Sequence, residues 1–82
     1  MHFVYVLQSQ KDGRTYIGFT DNVERRLQEH NLGRSKSTKH RCPFILLFTE
    51  EFATQKEAMK REAWWKSGAG RRKLKEYFSS EP

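Results

Sequence analysis

The chain has 82 residues, with sixteen Lys and Arg against ten Asp and Glu, a net charge of +6 and a single cysteine. That length holds one modest core and no second folded module, so any activity has to fit in one small unit. One cysteine excludes an intramolecular disulfide and a multi-cysteine zinc site, which fits a reducing cytoplasm, and the positive balance makes a polyanion the leading class of partner.

His2 to Ser9 is rich in aromatic and β-branched residues and reads as a strand. Its apolar run Phe3-Val4-Tyr5-Val6-Leu7 is too short for a signal sequence or a membrane span, so a cytoplasmic protein without membrane attachment is expected. Asp12-Gly13 supplies a turn, for which type I′ is expected, and Arg14 to Thr20 reads as the second strand of a hairpin. Either a two-residue or a four-residue connection puts Tyr5, Tyr16 and Gly18 on one sheet face.

Asp21 or Asn22 is a good N-cap for a helix over Val23 to Asn31 that stops near Gly33. Placing Val23 at zero on a helical wheel puts Leu27 at about 40°, His30 at about 340° and Arg26 at about 300°. Arg26 and His30 thus border the buried stripe. The segment Leu32 to Pro43 carries Arg34, Lys36, Lys39, His40 and Arg41 without one acidic residue, a loop suited to following a phosphate backbone. Cys42, just before the next strand, is read as a small hydrophobe without a functional role. The continuous apolar run Phe44-Ile45-Leu46-Leu47-Phe48 then predicts a strand covered on both faces, with helices on two sides of the sheet.

Thr54 and Glu57 form a capping box for a helix over Gln55 to Ser67, which Gly68 and Gly70 are expected to close. With Ala58 at zero, Trp65 falls at about 340°, Glu62 at about 40° and Met59 at about 100°. Glu62 therefore lies within an apolar stripe, where a carboxylate needs a cation, either a metal ion or an arginine such as Arg26. Trp64 points away from much of that stripe; an exposed Trp64 would mark a surface for a protein partner. A short last helix over Arg71 to Phe78 packs Leu74, Tyr77 and Phe78 on the core. The domain is read as residues 1–78, with 79–82 a flexible C-terminal tail.

Taken together, Phe3-Val4-Tyr5, Tyr16-Ile17-Gly18, Arg26, His30 and Glu62 resemble the GIY-YIG nucleases, and the resemblance spans residues 3 to 78, like that of the small stand-alone bacterial members. It implies an α+β fold, a three-stranded antiparallel sheet flanked by helices. It also implies an endonuclease that hydrolyses phosphodiester bonds of DNA and depends on a metal, with a role in DNA repair or recombination. On that resemblance Glu62 holds one Mg²⁺, or Mn²⁺, and Arg26 contacts the scissile phosphate. Tyr5, Tyr16 and His30 share the proton path, with the identity of the general base open. Arg34, Lys36, Lys39 and Arg41 are the expected nucleic-acid contacts. The chain departs from the family pattern where the first glycine and isoleucine are replaced, and in having no asparagine after Glu62. Such a protein acts on DNA by structure, with little preference, or through a protein partner that supplies specificity. Competing classes are a nucleic-acid binder without turnover and a protein-interaction module.

Overall fold

A computed structural model describes residues 1–79. In chain order its elements are strands β1 (His2–Ser9) and β2 (Thr15–Thr20), helix α1 (Val23–Asn31), strand β3 (Phe44–Phe52), and helices α2 (Gln55–Lys66) and α3 (Gly68–Ser79). The sheet is antiparallel in the order β2-β1-β3. The expected α+β fold, with a three-stranded sheet flanked by helices, is therefore the fold observed. Residues 80–82, most of the expected tail, lie outside the described residues, and α3 extends through Ser79.

Successive side chains of a strand alternate between faces, and β1 uses both faces for burial. Val4 and Val6 pack with Ile17, Ala58, Trp65 and Leu74 on the side of α2 and α3. Tyr5 and Leu7 pack with Phe44, Val23 and Leu27 on the side of α1. Helices cover two sides of the sheet as expected, but β1, not β3, is the strand covered on both faces. As an edge strand, β3 leaves Ile45 and Leu46 about 40 % exposed. A β-bulge contributes to this arrangement, because Val6 opposes Phe48 while Leu7 opposes Leu46. Leu47 is the extra residue, and Leu47 and Phe48 both pack on the cluster under α2 and α3, so the period-two alternation breaks inside the apolar run.

The hairpin takes the four-residue branch. Ser9 N–H donates to the Arg14 carbonyl and Gly13 N–H to the Ser9 carbonyl, both at 2.9 Å. Gly13 has φ +75° and among the described residues no non-glycine has positive φ, so Asp12 does not adopt the conformation that type I′ needs. Instead the Ser9 hydroxyl oxygen accepts from the amides of Lys11 and Asp12, and the Asp12 carboxylate accepts from Arg14 N–H, which stabilises the wider loop.

Asn22 caps α1 by accepting from Arg25 N–H, and α1 ends in a Schellman motif. Gly33, at φ +74°, donates to the His30 carbonyl, and Arg34 donates to the Glu29 carbonyl. The Asn31 side chain then clamps the start of β3: its Nδ2 donates to the Phe44 carbonyl at 3.2 Å and its Oδ1 accepts from Phe44 N–H at 2.6 Å. Both ends of the basic loop are thus fixed to the α1 side of the sheet.

Gly68 and Gly70 do not close α2. Ser67 is its C-cap, and both glycines lie in the first turn of α3. A β-carbon on Gly70 would overlap the Trp64 carbonyl and the Trp65 backbone, so glycine here permits two helices to approach backbone to backbone. Trp65 is buried and donates Nε1–H to Glu50 of β3 at 2.7 Å. Arg61 grips the same carboxylate at 2.9 and 3.1 Å, and its guanidinium stacks 4.2 Å from the Trp64 ring centre. Trp64 is half-buried against the core under that arginine, which weakens its reading as a partner surface.

Candidate active site

The hairpin register places Tyr5 opposite Gly18 and Leu7 opposite Tyr16, so Tyr5, Tyr16 and Gly18 share the face that α1 covers. The Tyr5 ring lies across the neighbouring strand, and a β-carbon on Gly18 would overlap the phenol oxygen and its ring carbon. Glycine at this position is a space requirement of the phenol, because Gly18 has no positive φ.

α1 delivers the next two groups from its flank. His30 is 0 % exposed, and its Nε2 lies 3.1 Å from the Tyr5 hydroxyl. The edge of its ring meets Tyr16, with centroids 4.9 Å apart, and Phe44 closes the other side at 5.8 Å. Arg26, one turn earlier, is half-buried, near enough for its charge to act on the Tyr5 phenol, and lies 3.4 Å from the Glu29 carboxylate.

Charge and burial oppose one another in this cluster. Burial raises the Tyr5 phenol above its ordinary value, and this outweighs the downward pull of the Arg26 guanidinium. Burial likewise lowers His30, and the positive charge of Arg26 lowers it further, so the imidazole is neutral at pH 7. Burial disfavours the charge on Arg26, yet contacts with Tyr5 and Glu29 outweigh it and hold the guanidinium above its usual value. A fixed cation therefore stands beside a protonated phenol and a neutral imidazole.

A fifth member escaped the sequence reading. Thr38, in the basic loop, is 0 % exposed, and its Oγ1 lies 2.7 Å from His30 Nδ1. Both ring nitrogens are consequently engaged, one by Thr38 and one by Tyr5. The only sequence signal was a hydroxyl residue eight positions beyond His30, too common a feature to single out. Loop turns hold Thr38 in place: its amide donates to the Ser35 carbonyl and its carbonyl accepts from Arg41 N–H.

Glu62 comes from α2, on a stripe with buried Ala58 and Trp65. Its side chain is 21 % exposed and sits 3.5 Å from Lys66, a surface-type pairing of little energetic weight. The arginine considered as its partner, Arg26, pairs with Glu29 instead. Glu62 is near enough for its charge to push the Tyr5 phenol upward, which relates α2 to the α1 side of the site. Among the described residues no cluster of three or more His, Cys, Asp or Glu is placed to hold a metal. The donor set at this site is thus one partly exposed carboxylate. That fits Mg²⁺ or Mn²⁺, ions able to keep most of their waters and to take substrate oxygens.

Arg34, Lys36 and Lys39 are exposed on the basic loop. Arg41 is committed within the fold: its Nε donates to Asp12 at 3.1 Å, its Nη2 to the Thr15 carbonyl at 3.2 Å, and Ser9 Oγ donates to its carbonyl at 2.5 Å. Cys42 is half-buried, with its thiol donating to the Lys39 carbonyl.

Comparison with known proteins identifies the family. A family profile described as the GIY-YIG catalytic domain matches residues 1–75. The chain is 43 % identical over 75 residues to the UPF0213 protein SH2523 of Staphylococcus haemolyticus, covering 90 % of each. It is 41 % identical over 81 residues to the UPF0213 protein YazA of Bacillus subtilis, covering 98 % of this chain and 80 % of that one. The solution NMR structure of the UPF0213 protein BH0048 from Bacillus halodurans has 37 % identity and a TM-score of 0.55, over 93 % of this chain and 83 % of that one.

Proposed function

The chain belongs to the GIY-YIG nuclease family, and from that membership we propose that it is a metal-dependent endonuclease hydrolysing DNA phosphodiester bonds. The observation that carries the proposal is the buried chain Thr38–His30–Tyr5 beside the Arg26 guanidinium: a neutral base, a phenol and a fixed cation at one place.

Each residue has a chemical task. Arg26 binds the scissile phosphate and stabilises the negative charge that grows on it, for which a planar, permanently charged fork is suited. Tyr5 is a poor base alone, because burial keeps its proton on. Its hydroxyl nevertheless faces His30 Nε2, so the phenol passes a proton to the imidazole as it accepts one from the attacking water. That relay requires the free lone pair on Nε2. Thr38 Oγ1, 2.7 Å from Nδ1, can accept a proton held there, and that tautomer is the one the relay uses. Tyr16, against the His30 ring edge, orients the water and shields the pair from solvent.

Glu62 would hold the Mg²⁺ or Mn²⁺, displacing Lys66 from its long contact. The chemistry supplied there is polarisation of a phosphoryl oxygen and neutralisation of its charge. Backbone contacts from the exposed cations favour recognition of DNA structure over sequence, as repair or recombination requires.

The test is nicking of supercoiled plasmid and branched DNA with Mg²⁺ or Mn²⁺, with EDTA and Glu62→Gln as controls. Cleavage by the wild type, lost in both controls while Glu62→Gln still binds DNA, is the expected result. Binding without cleavage of any substrate would move the assignment to a nucleic-acid binder without turnover.

A further inference from the structure

Between β2 and α3 two hollows share Thr15, Arg71 and Leu74 and so form one continuous groove. One end reaches Tyr16 and Lys66, the lysine that pairs with Glu62. The other reaches Arg14 on the hairpin loop and Phe78 near the end of α3. Four cations, Arg14, Lys66, Arg71 and Lys75, line it, and among the described residues no carboxylate does. The chain as a whole carries ten Asp and Glu, so a lining of one sign is a local arrangement and not a reflection of overall composition. Arg14 and Arg71 are exposed. The Thr15 hydroxyl adds a neutral hydrogen-bonding group, and Phe78 a partly exposed ring of the kind on which a base or sugar can rest.

We infer that this groove carries the DNA backbone flanking the cleaved phosphate, with Arg14 and Arg71 as its phosphate contacts; the inference rests on the nuclease reading above. The basic loop alone leaves Arg34, Lys36 and Lys39 for the substrate, since Arg41 is bound to Asp12 and Thr15. Arg41 also ties the loop to the groove, because the Thr15 carbonyl that accepts from it belongs to a residue bordering both hollows. The strand therefore approaches the site along β2, past Tyr16, instead of over the loop only.

The experiment measures binding of a labelled DNA duplex by fluorescence anisotropy, in EDTA and across a range of salt. Wild type is compared with Arg14→Gln/Arg71→Gln and with Lys56→Gln/Lys60→Gln. The second pair removes the same charge from a different hollow, on the exposed face of α2. The groove pair is expected to bind at least about tenfold more weakly at 0.1 M salt, with the salt slope reduced by about 2. The α2 pair should change affinity by less than about twofold, and Arg14→Lys/Arg71→Lys should restore the slope. Equal losses in the groove and α2 pairs, or no DNA binding by wild type, would overturn the inference. Single-turnover nicking by the same proteins separates it from the proposed activity. Loss of binding in the groove pair, with no cleavage by any protein, upholds the groove and removes the nuclease reading. Undiminished binding and cleavage in that pair removes the groove and leaves the nuclease.

Discussion

Thr38→Val deletes one hydroxyl while keeping the shape of the side chain. His30 Nδ1 is then left without its 2.7 Å partner at a site where both residues are 0 % exposed. An unsatisfied buried polar group costs about 1–3 kcal/mol. For a domain of this size that corresponds to a melting temperature lower by about 5–20 °C. The imidazole is also released to choose its tautomer, and the form protonated on Nε2 has no lone pair for the Tyr5 proton. General base catalysis contributes about 10²–10⁴, so partial loss of the correct form should slow single-turnover nicking by about 10–100-fold at a temperature where both proteins are folded. Thr38→Ser, which restores the hydroxyl, should recover most of the rate. A Thr38→Val protein with wild-type melting and wild-type rate would refute the reasoning, as would a Thr38→Ser protein as slow as the valine variant.

Gly18→Ala places a β-carbon where the Tyr5 hydroxyl lies and should cost about 1–3 kcal/mol by overpacking, read by urea denaturation; cleavage should fall further as the phenol leaves His30. His30, lowered by burial and then by Arg26, should titrate below the ordinary value of about 6.5 when followed by NMR of its ring protons, and a midpoint at or above that value would contradict its placement. Its folded value lies below its unfolded one, so the native state binds fewer protons. The resulting contribution is at its maximum above about pH 6.5 and declines as pH falls below that, measurable as a weakening urea midpoint. Burial opposes the charge on Glu50, but Arg61 and Trp65 outweigh it and hold the carboxyl below its usual range. That stability is present above about pH 4.3 and is lost as pH falls through the folded value. Glu50→Gln should therefore cost about 1–3 kcal/mol at pH 7, and the cost should shrink as pH falls through the folded value.

Local chemistry was the legible part of this chain. Asn22, Gly33 and Thr54 act where the cap and stop signals predict, and α1 keeps its expected bounds. Alternation along the hairpin was enough to put Tyr5, Tyr16 and Gly18 on one face, since both even-length connections give the same parity. What failed depended on packing and side-chain contacts that the local signals do not carry. The Phe44–Phe48 run looks doubly buried until strand order makes β3 an edge and a bulge turns Leu47 and Phe48 to the same side. Gly68 and Gly70 look like helix stops, whereas Gly70 answers to the backbone of Trp64 and Trp65. Asp12-Gly13 suits a tight turn, but the Ser9 hydroxyl and Arg41 support a wider one. Thr38 and the commitment of Arg41 to Asp12 were invisible for the same reason, each being a contact made by a loop closing over the sheet. At the site, residue types and order were readable, while the engagement of both His30 ring nitrogens, by Tyr5 and by Thr38, was not.

The strand that carries Tyr5 is also the one with partners on both edges and apolar layers on both faces. Amide hydrogen exchange at such a strand is expected only through opening of the whole domain, whereas the stretch from Arg34 to Lys39, exposed except at Ser35 and buried Thr38, is expected to open at lower cost. On that expectation the phenol is anchored in the last part to unravel, and the loop holding Thr38 in an earlier one. Detachment of that loop would switch off the imidazole while the sheet beneath it stayed folded, an inactivated species that melting curves would miss and exchange kinetics would reveal.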